Sequence, residues 1–147
     1  MTRVLGIDFG LKRIGLALSD PSKLIASPLK ILYAAKTLEQ TVTLLLKEIE
    51  ELKNSNRIIE TIVMGLPLLL SGKDSDTTRT VRQFATLIET ASTLPLVLWD
   101  ERLTTTQVEN ILKEDKMSRK KRTKHLDTMS ATLILQTYLD RNCHANS

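Results

Sequence analysis

The sequence predicts a single α/β domain built on one mixed five-stranded sheet with about four flanking helices. Three observations predict this fold class. Short apolar runs open the chain and are separated by turn-forming residues, which is typical of strands. Apolar residues then recur at helical spacing, in alternation with two further strand-like runs. The length of 147 residues fits one domain with a core of its own.

The first three strands are expected over residues 4–9, 14–19 and 24–32. Gly10 ends the first strand, and an Asp-Pro-Ser-Lys turn that begins at Asp20 separates the second from the third. Asp20 is expected to cap that turn with its side chain. Because short links between consecutive strands favour antiparallel pairing, the three should form a meander.

Helices and strands alternate through the rest of the chain. Apolar periodicity predicts helices over residues 36–52, from about 74–77 through Ile88, over 104–113 and over 126–139, and strands over 58–65 and 95–99. Strands linked through a helix cross over to lie parallel, so the two late strands should pair in parallel. Residues 1–141 would form the domain and 142–147 a frayed tail.

Composition and charge narrow the classes of function. No apolar run approaches the ~18 residues that cross a bilayer, and the amino terminus enters the first predicted strand without a signal-peptide pattern. Cys143 is the single cysteine, so no internal disulfide can form. We therefore expect a cytoplasmic protein with no membrane partner. The net charge of +4 and the pI of about 9.3 are compatible with a polyanionic partner but do not require one.

Basic residues are concentrated just before the last predicted helix. The segment 116–124 has no acidic side chain, and its basic residues are Lys116, Arg119, Lys120, Lys121, Arg122 and Lys124. It is either a solvated loop between two helices or an arm that contacts the phosphates of a nucleic acid. Composition alone leaves both interpretations open.

Asp8 is the most informative residue of the chain. It lies in a predicted buried strand between Ile7 and Phe9, where a charge is costly unless it is paired or bound to metal. Strand alternation places it on the same face as Gly6 and Gly10, where another group can approach closely. The alternative is an aspartate that makes a turn with Gly10 at the end of the strand.

Further acidic residues stand at a strand end and on a helix. Asp100 and Glu101 end the fifth predicted strand, and alternation allows only one of them to face a given site. Asp127 shares a helical face with the apolar residues Ala131 and Ile134. Alternatively, Asp100 caps the next helix, and Asp127 is a first-turn acid that the helix dipole favours.

Carboxylates on two strands and a facing helix can converge over one edge of a sheet. Their oxygens are the ligands that Mg²⁺ prefers, and Mn²⁺ is an alternative. Divalent ions held in this way support the hydrolysis of phosphodiesters. The sequence therefore predicts a metal site made of Asp8, one acid of the Asp100–Glu101 pair, and Asp127.

Several segments together resemble the YqgF/RuvX family. They occur in the family's order over nearly the whole chain, and they are residues 5–10 (LGIDFG), 13–20 (RIGLALSD), 65–67 (GLP), 100–105 (DERLTT), and Asp127 ahead of Ala131 and 134–139 (ILQTYL). One such block would be weak evidence, whereas ordered blocks at suitable spacing are a strong signal.

The resemblance implies an RNase H-like fold related to the RuvC Holliday junction resolvases, and a nuclease that matures the 5′ end of pre-16S rRNA. It implies that the metal-binding and catalytic acids are Asp8, Glu101 and Asp127. Arg13 and Arg102 become candidate phosphate contacts, although either could instead pair with a nearby carboxylate. The implied partners are nucleic acid, above all pre-rRNA, and ribosomal precursor particles. The protein would act as a monomer or a homodimer.

One position departs from the family pattern. After the block at 65–67 the family usually has an Asp-Gly pair, whereas this chain has Ser71-Gly72. Gly72 should keep the turn, but a role of this loop in placing metal or substrate is not carried over. The motif acids are intact, so an active enzyme is expected.

Other functions stay open at this point. A Holliday junction resolvase would use the same acids on branched DNA and would favour a two-fold dimer. A non-catalytic RNA-binding ribosome-assembly factor would need only the basic segment and would tolerate Asp8→Asn. The hairpin that starts at Asp8 also resembles the phosphate-binding hairpin of actin-like sugar kinases. Those enzymes need two such domains, and this chain has length for one.

Overall fold

The computed structural model describes residues 1–69, 71–101 and 119–145, of which 119–128 and 143–145 by their backbone alone. Its strands are β1 (Thr2–Asp8), β2 (Arg13–Ser19), β3 (Ala26–Tyr33), β4 (Ile58–Leu66) and β5 (Leu96–Asp100), and its helices are α1 (Leu38–Asn54), α2 (Asp76–Ala91) and α3 (Arg119–Ala145). The predicted fold class is confirmed, and the helix predicted at 104–113 lies outside the described residues. Within those residues no helix offers an apolar stretch long enough to cross a membrane.

The strands lie in the order β3-β2-β1-β4-β5. β1 pairs antiparallel with β2, and β2 with β3, so that Gly15 lies between Asp8 and Ile31. β1 pairs in parallel with β4, and β4 with β5. This confirms the predicted meander and the parallel pairing of the late strands. The ends of β1, β4 and β5, at Asp8, Leu66 and Asp100, meet at one side of the sheet, here called the carboxyl edge.

Helices cover both faces of the sheet. α1 and α2 pack on one face, where Phe9 and Phe84 contact each other with ring centroids 4.7 Å apart. The other face, here called the α3 face, carries a smaller apolar cluster in which Ala131 and Leu135 pack with Val4. This two-sided cover explains why β1 and β4 are nearly continuous apolar runs in the sequence.

α3 packs across its face of the sheet, from β3 to β5. Near the later part of the helix, Gln136 accepts a hydrogen bond of 2.8 Å from the amide of Ala26, at the opposite side of the sheet where β3 begins. Earlier in the helix, Ala131 and Leu135 lie over Gly6. An ideal Cβ on Gly6 would be 2.8 Å from the Leu135 Cβ and 3.1 Å from the Ala131 carbonyl oxygen. Gly6 therefore lets α3 pack closely on β1.

α3 begins earlier than the sequence predicts. The predicted basic loop spans 116–124 and the predicted helix starts at 126, but residues 119–124 already belong to α3. The loop prediction is wrong for these residues because Arg and Lys are good helix formers and no Gly or Pro stops the helix there. At its other end the helix continues to Ala145, past the predicted start of the tail.

The turn between β2 and β3 is capped as predicted. The Oδ1 atom of Asp20 accepts hydrogen bonds from the amides of Leu24 (2.8 Å) and Ile25 (3.0 Å), and its Oδ2 accepts one from the Ser22 hydroxyl. These bonds, with that from Ile25 first, lower the pKa of Asp20 from 3.8 to about 2. The charged carboxylate is thus the form that the turn stabilises.

Asp20→Asn is expected to destabilise the protein at neutral pH by an amount that disappears in acid. Asparagine keeps an acceptor oxygen but lacks the charge that the donors stabilise. Because the folded pKa lies below the ordinary value of 3.8, the contribution is complete above that pH and is lost as the pH falls toward 2. Urea denaturation of both proteins across this range measures it. A difference in stability that does not change with pH would contradict the expectation.

Candidate active site

Asp8 lies at the carboxyl edge and on the α3 face. It is the last residue of β1, is half-buried, and shares its strand face with Gly6, which meets α3. The predicted placement beside a position of close approach is therefore confirmed. Gly10 forms the tight turn that follows, since a Cβ there would overlap the carbonyl oxygen of Arg13.

Glu101 follows β5 and reaches the same place. Its amide donates a hydrogen bond of 3.2 Å to the carbonyl of Leu66, which holds it against the end of β4. Its side chain crosses Gly65: an ideal Cβ on Gly65 would lie 2.6 Å from both Cγ and Cδ of Glu101. The Cδ1 atom of Ile134 would be equally close to that Cβ, at 2.6 Å. Gly65 therefore leaves the space in which Glu101 lies between β4 and α3.

The carboxyl groups of Asp8 and Glu101 are hydrogen-bonded to each other. Burial is the main influence on the pKa of Glu101 and raises it, the hydrogen bond with Asp8 lowers it, and the charge of Asp100 raises it. The net direction is upward. Full ionisation of the pair is therefore unfavourable unless a cation is present.

Asp100 lies on the opposite face of the sheet from Asp8 and Glu101. Trp99 packs on the α3 face, where its ring makes an edge-on contact with Tyr138 at a centroid distance of 5.6 Å. Alternation along β5 turns Asp100 to the opposite face and brings Glu101 back to the α3 face. Of the two adjacent acids, Glu101 is thus the one beside Asp8, as the family resemblance implies.

Asp127 lies on α3, and its side chain is outside the described residues. Its backbone position is one turn before Ala131, on the helix face that also carries Leu135. Those two residues lie over Gly6. The backbone of Asp127 thus belongs to the helix that faces Gly6, and its predicted role as the third acid stays a prediction.

A divalent cation fits this site chemically. Among the side chains that the structure describes, no group of three acids, histidines or cysteines comes together, so Asp8 and Glu101 are the described part of any metal site. Carboxylate oxygens are suited to Mg²⁺ and Mn²⁺. A cation would favour the ionised form of both carboxylates and relieve the repulsion between them.

The structure describes only some of the predicted phosphate-binding residues. Arg13 begins β2 and by register lies on the α3 face, since it is two residues from Gly15, the partner of Asp8. Arg102 and Lys116 lie outside the described residues. The first turns of α3 carry Arg119, Lys120, Lys121, Arg122 and Lys124, whose side chains are also outside the described part.

The loop after β4 keeps its turn without the family's usual acid. Gly72 has a φ of 85°, a left-handed conformation that favours glycine. Its amide donates a hydrogen bond of 2.8 Å to the carbonyl of Leu69. The hydroxyl of Thr78, in the first turn of α2, donates to the carbonyl of Pro67 and ties the two ends of the loop together. The predicted role of Gly72 in the turn is thus confirmed.

Gly65 is a functional position that the sequence reasoning does not single out beyond its place in a motif. Its lack of a side chain decides where Glu101 lies. A glycine inside a buried apolar strand indicates the close approach of another group. That signal is present in the sequence and could have pointed to this position.

Known proteins match this chain over nearly its whole length. A family model described as "RuvX: Holliday junction resolvase" matches residues 2–141. A protein of Protochlamydia amoebophila named "Putative pre-16S rRNA nuclease" is 49% identical over 143 residues, which cover 97% of this chain and 95% of that protein. A protein of Koribacter versatilis with the same name is 45% identical over 139 residues, with coverage of 95% and 87%.

Solved structures of the same fold include DNA junction resolvases. The Fowlpox virus resolvase in complex with Holliday junction DNA has a TM-score of 0.58 at 14% identity, covering 95% of this chain and 98% of that one. RuvC of T. thermophilus in complex with a Holliday junction has a TM-score of 0.51 at 15% identity, with coverage of 91% and 92%. At these identities the likeness concerns the fold alone, and it is the RNase H-like fold that the resemblance implies.

Proposed function

Because this chain belongs to the RuvX family, we propose that it is a metal-dependent nuclease that hydrolyses phosphodiester bonds at Asp8 and Glu101 and matures the 5′ end of pre-16S rRNA. The observation that carries the proposal is the contact between these two carboxyl groups at the carboxyl edge. The names of the relatives at 49% and 45% identity support the RNA substrate. A cytoplasmic location belongs to the same proposal.

The acids of the site would hold the metal. Asp8 and Glu101, with Asp127 as the proposed third ligand, supply hard oxygen donors to Mg²⁺ or Mn²⁺. The bound metal would supply the Lewis acidity that activates water and neutralises charge on the phosphate. Glu101 is confined between Gly65 and α3, so its carboxylate is held in place before substrate binds. Because burial raises the pKa of Glu101, metal binding, which needs the ionised carboxylate, should be favoured as the pH rises.

The first turns of α3 would supply positive charge for the phosphate backbone. α3 has no acidic residue in its first turn, where the helix dipole favours acids and disfavours cations. Basic residues from Arg119 to Lys124 therefore do not stabilise the helix end themselves. Phosphates would complement both these charges and the amino end of the helix. Such contacts would set the register of the strand and carry little sequence information.

Lys120→Ala combined with Lys121→Ala is expected to weaken nucleic-acid binding and to reduce its dependence on salt. Each lost phosphate contact lowers the slope of log K against log salt by about 0.7 for a single strand. For the double variant, the slope should therefore be smaller in magnitude by about 1.4. Fluorescence anisotropy with a labelled RNA at several salt concentrations measures the slope.

The matched control is Lys47→Ala combined with Lys53→Ala. Both lysines are exposed on α1, which packs on the face of the sheet away from α3. This control removes the same charge from the chain but should leave the slope unchanged. If the two double variants changed the slope equally, general charge rather than the α3 segment would account for binding.

A Holliday junction resolvase is the second candidate function. The description of the matching family model favours it. Such an enzyme would need paired sites related by a two-fold axis, and hence a dimer. The monomer or dimer state of this chain in solution, with and without a junction, is therefore a useful companion measurement.

Cleavage of two labelled substrates tests both functions. A pre-16S leader RNA and a DNA four-way junction are each incubated with the protein and Mg²⁺, Mn²⁺ or EDTA. Asp8→Asn, purified in parallel, controls for contaminating nuclease. Metal-dependent cutting of the RNA supports the proposal, and preferential cutting of the junction favours the resolvase. If neither substrate is cut although both are bound, catalysis is contradicted and the assembly-factor hypothesis takes its place.

A further inference from the structure

Tyr33 differs from every other aromatic residue of the chain. The chain has one Trp, two Tyr and two Phe. Four of these rings are paired inside the fold, Phe9 with Phe84 and Trp99 with Tyr138. Tyr33 is 59% exposed, and within the described residues its ring has no aromatic or cationic partner. Its ring is thus available to something outside the fold.

The sheet register places Tyr33 on the same face as Asp8. Asp8 pairs with Gly15 and Gly15 with Ile31, so these three residues share the α3 face. Arg13 and Tyr33, which pair with each other, are each two residues further and therefore lie on that face as well. With strands about 4.8 Å apart and a rise of about 3.3 Å per residue, the Cα atoms of Asp8 and Tyr33 are roughly 12 Å apart.

The backbone around Tyr33 is held firmly although its ring is exposed. Tyr33 ends β3 in register with Arg13, and the next amide, that of Ala34, donates a hydrogen bond of 2.9 Å to the carbonyl of Lys12. Lys12 and Leu11, in the turn between β1 and β2, are both exposed. An exposed aromatic ring therefore stands on a hydrogen-bonded strand end, next to the exposed turn that carries Lys12 and on the same face as Asp8.

We propose that Tyr33 stacks against an unpaired nucleobase of the strand whose phosphate lies at Asp8 and Glu101. The proposal rests on the proposed nuclease function and names its substrate class as a strand with unpaired bases next to the scissile bond. Bases of every kind present a face that stacks on an aromatic ring, and nearby cations contact the phosphates. A base inside a duplex is already stacked on its neighbours, so Tyr33 would favour single-stranded segments.

Binding of short oligonucleotides tests this proposal. Each probe carries the fluorescent base 2-aminopurine and is made as RNA and as DNA, single-stranded and in a duplex. All proteins carry Asp8→Asn so that the probe is not cut. Three variants, Tyr33→Ala, Tyr33→Phe and Tyr33→Leu, are compared with Ile25→Ala. Ile25 is an exposed apolar residue just before the start of β3, at the end of the sheet away from Tyr33. Melting temperatures establish that each variant is folded.

We expect Tyr33→Ala to weaken binding of the single strand by roughly 10-fold and to reduce the quenching of 2-aminopurine. Tyr33→Phe should keep both, whereas Tyr33→Leu, which is apolar but has no ring face, should behave like alanine. Duplex binding should change little. Loss with the RNA probe alone, the DNA probe alone or both identifies the strand that is read, and each supports the stacking.

An equal loss for single strand and duplex, no loss at all, or failure of Tyr33→Phe to retain binding would overturn the assignment. Cleavage of the unlabelled single strand by the protein with an intact Asp8 is scored in parallel. If that protein does not cut, the nuclease proposal fails on its own, whatever the binding data show. If it cuts and Tyr33→Ala binds normally, only the stacking proposal fails.

Discussion

Glu101→Gln is expected to lower metal-dependent cleavage by about 10³-fold or more, whereas Asp100→Asn should leave it nearly unchanged. Metal ions contribute several kcal/mol of transition-state stabilisation, and each 1.36 kcal/mol is a factor of ten in rate. Only Glu101 lies beside Asp8, since alternation turns Asp100 to the opposite face. Single-turnover cleavage of the same RNA by the two variants measures the difference.

The two substitutions are a matched pair because each removes one negative charge from adjacent positions. Asp100 raises the pKa of Glu101 through its charge, so Asp100→Asn should ease ionisation of the site and not impair it. Glu101→Gln should keep or raise thermal stability in the absence of metal, because it removes a buried acid. Equal losses of activity in both variants would contradict the assignment of Glu101 alone.

Gly65→Ala is expected to reduce cleavage by about 10²-fold, the scale of effect that a misplacement of about 1 Å can have. The new Cβ would lie 2.6 Å from Cγ and Cδ of Glu101 and 2.6 Å from Cδ1 of Ile134, so one or both side chains must move. Overpacking of this kind also destabilises a protein by about 1–3 kcal/mol. Urea denaturation and single-turnover cleavage, measured on the same preparation, separate the two effects.

The double variant Gly65→Ala/Ile134→Val shows which contact matters for activity. Valine lacks the Cδ1 atom, so the double variant relieves the contact with α3 but leaves the contact with Glu101. The double variant should lose less unfolding free energy than the two single variants lose in sum. Its rate of cleavage should stay as low as that of Gly65→Ala. If cleavage recovered together with stability, Gly65 would act through α3 and not through Glu101.

The sheet and most of its helices could be predicted from the sequence because their signals are local. β1 and β4 are apolar runs, and α1 and α2 repeat apolar residues at helical spacing. Asp8 stands out because a charge in an apolar strand requires a reason. The sequence does not predict the start of α3 at Arg119, because a run of basic residues is equally compatible with a helix and with a loop.

The choice between Asp100 and Glu101 needed more than local signals. It depends on the strand register and on which face of β5 meets α3, and both are tertiary facts. The exposure of Tyr33 is also a tertiary fact, since it depends on the place of β3 at the edge of the sheet. A glycine in an apolar strand indicates a close approach at Gly65, but that the approaching group is Glu101 is again a tertiary fact.

The packing of α3 against the start of the chain has a consequence for when the protein becomes active. The hydrogen bond between Ala26 and Gln136 joins residues 110 positions apart, and Gly6 meets Leu135. The α3 face of β1 is therefore completed by a segment that is synthesised long after β1 itself. A growing polypeptide on the ribosome could form the meander early, but the cover of β1 by Ala131 and Leu135 would exist only after α3 had emerged. Contacts between residues so far apart in sequence slow folding, so an enzyme proposed to act on ribosomal precursors would complete the packing around its site only after α3 had been synthesised.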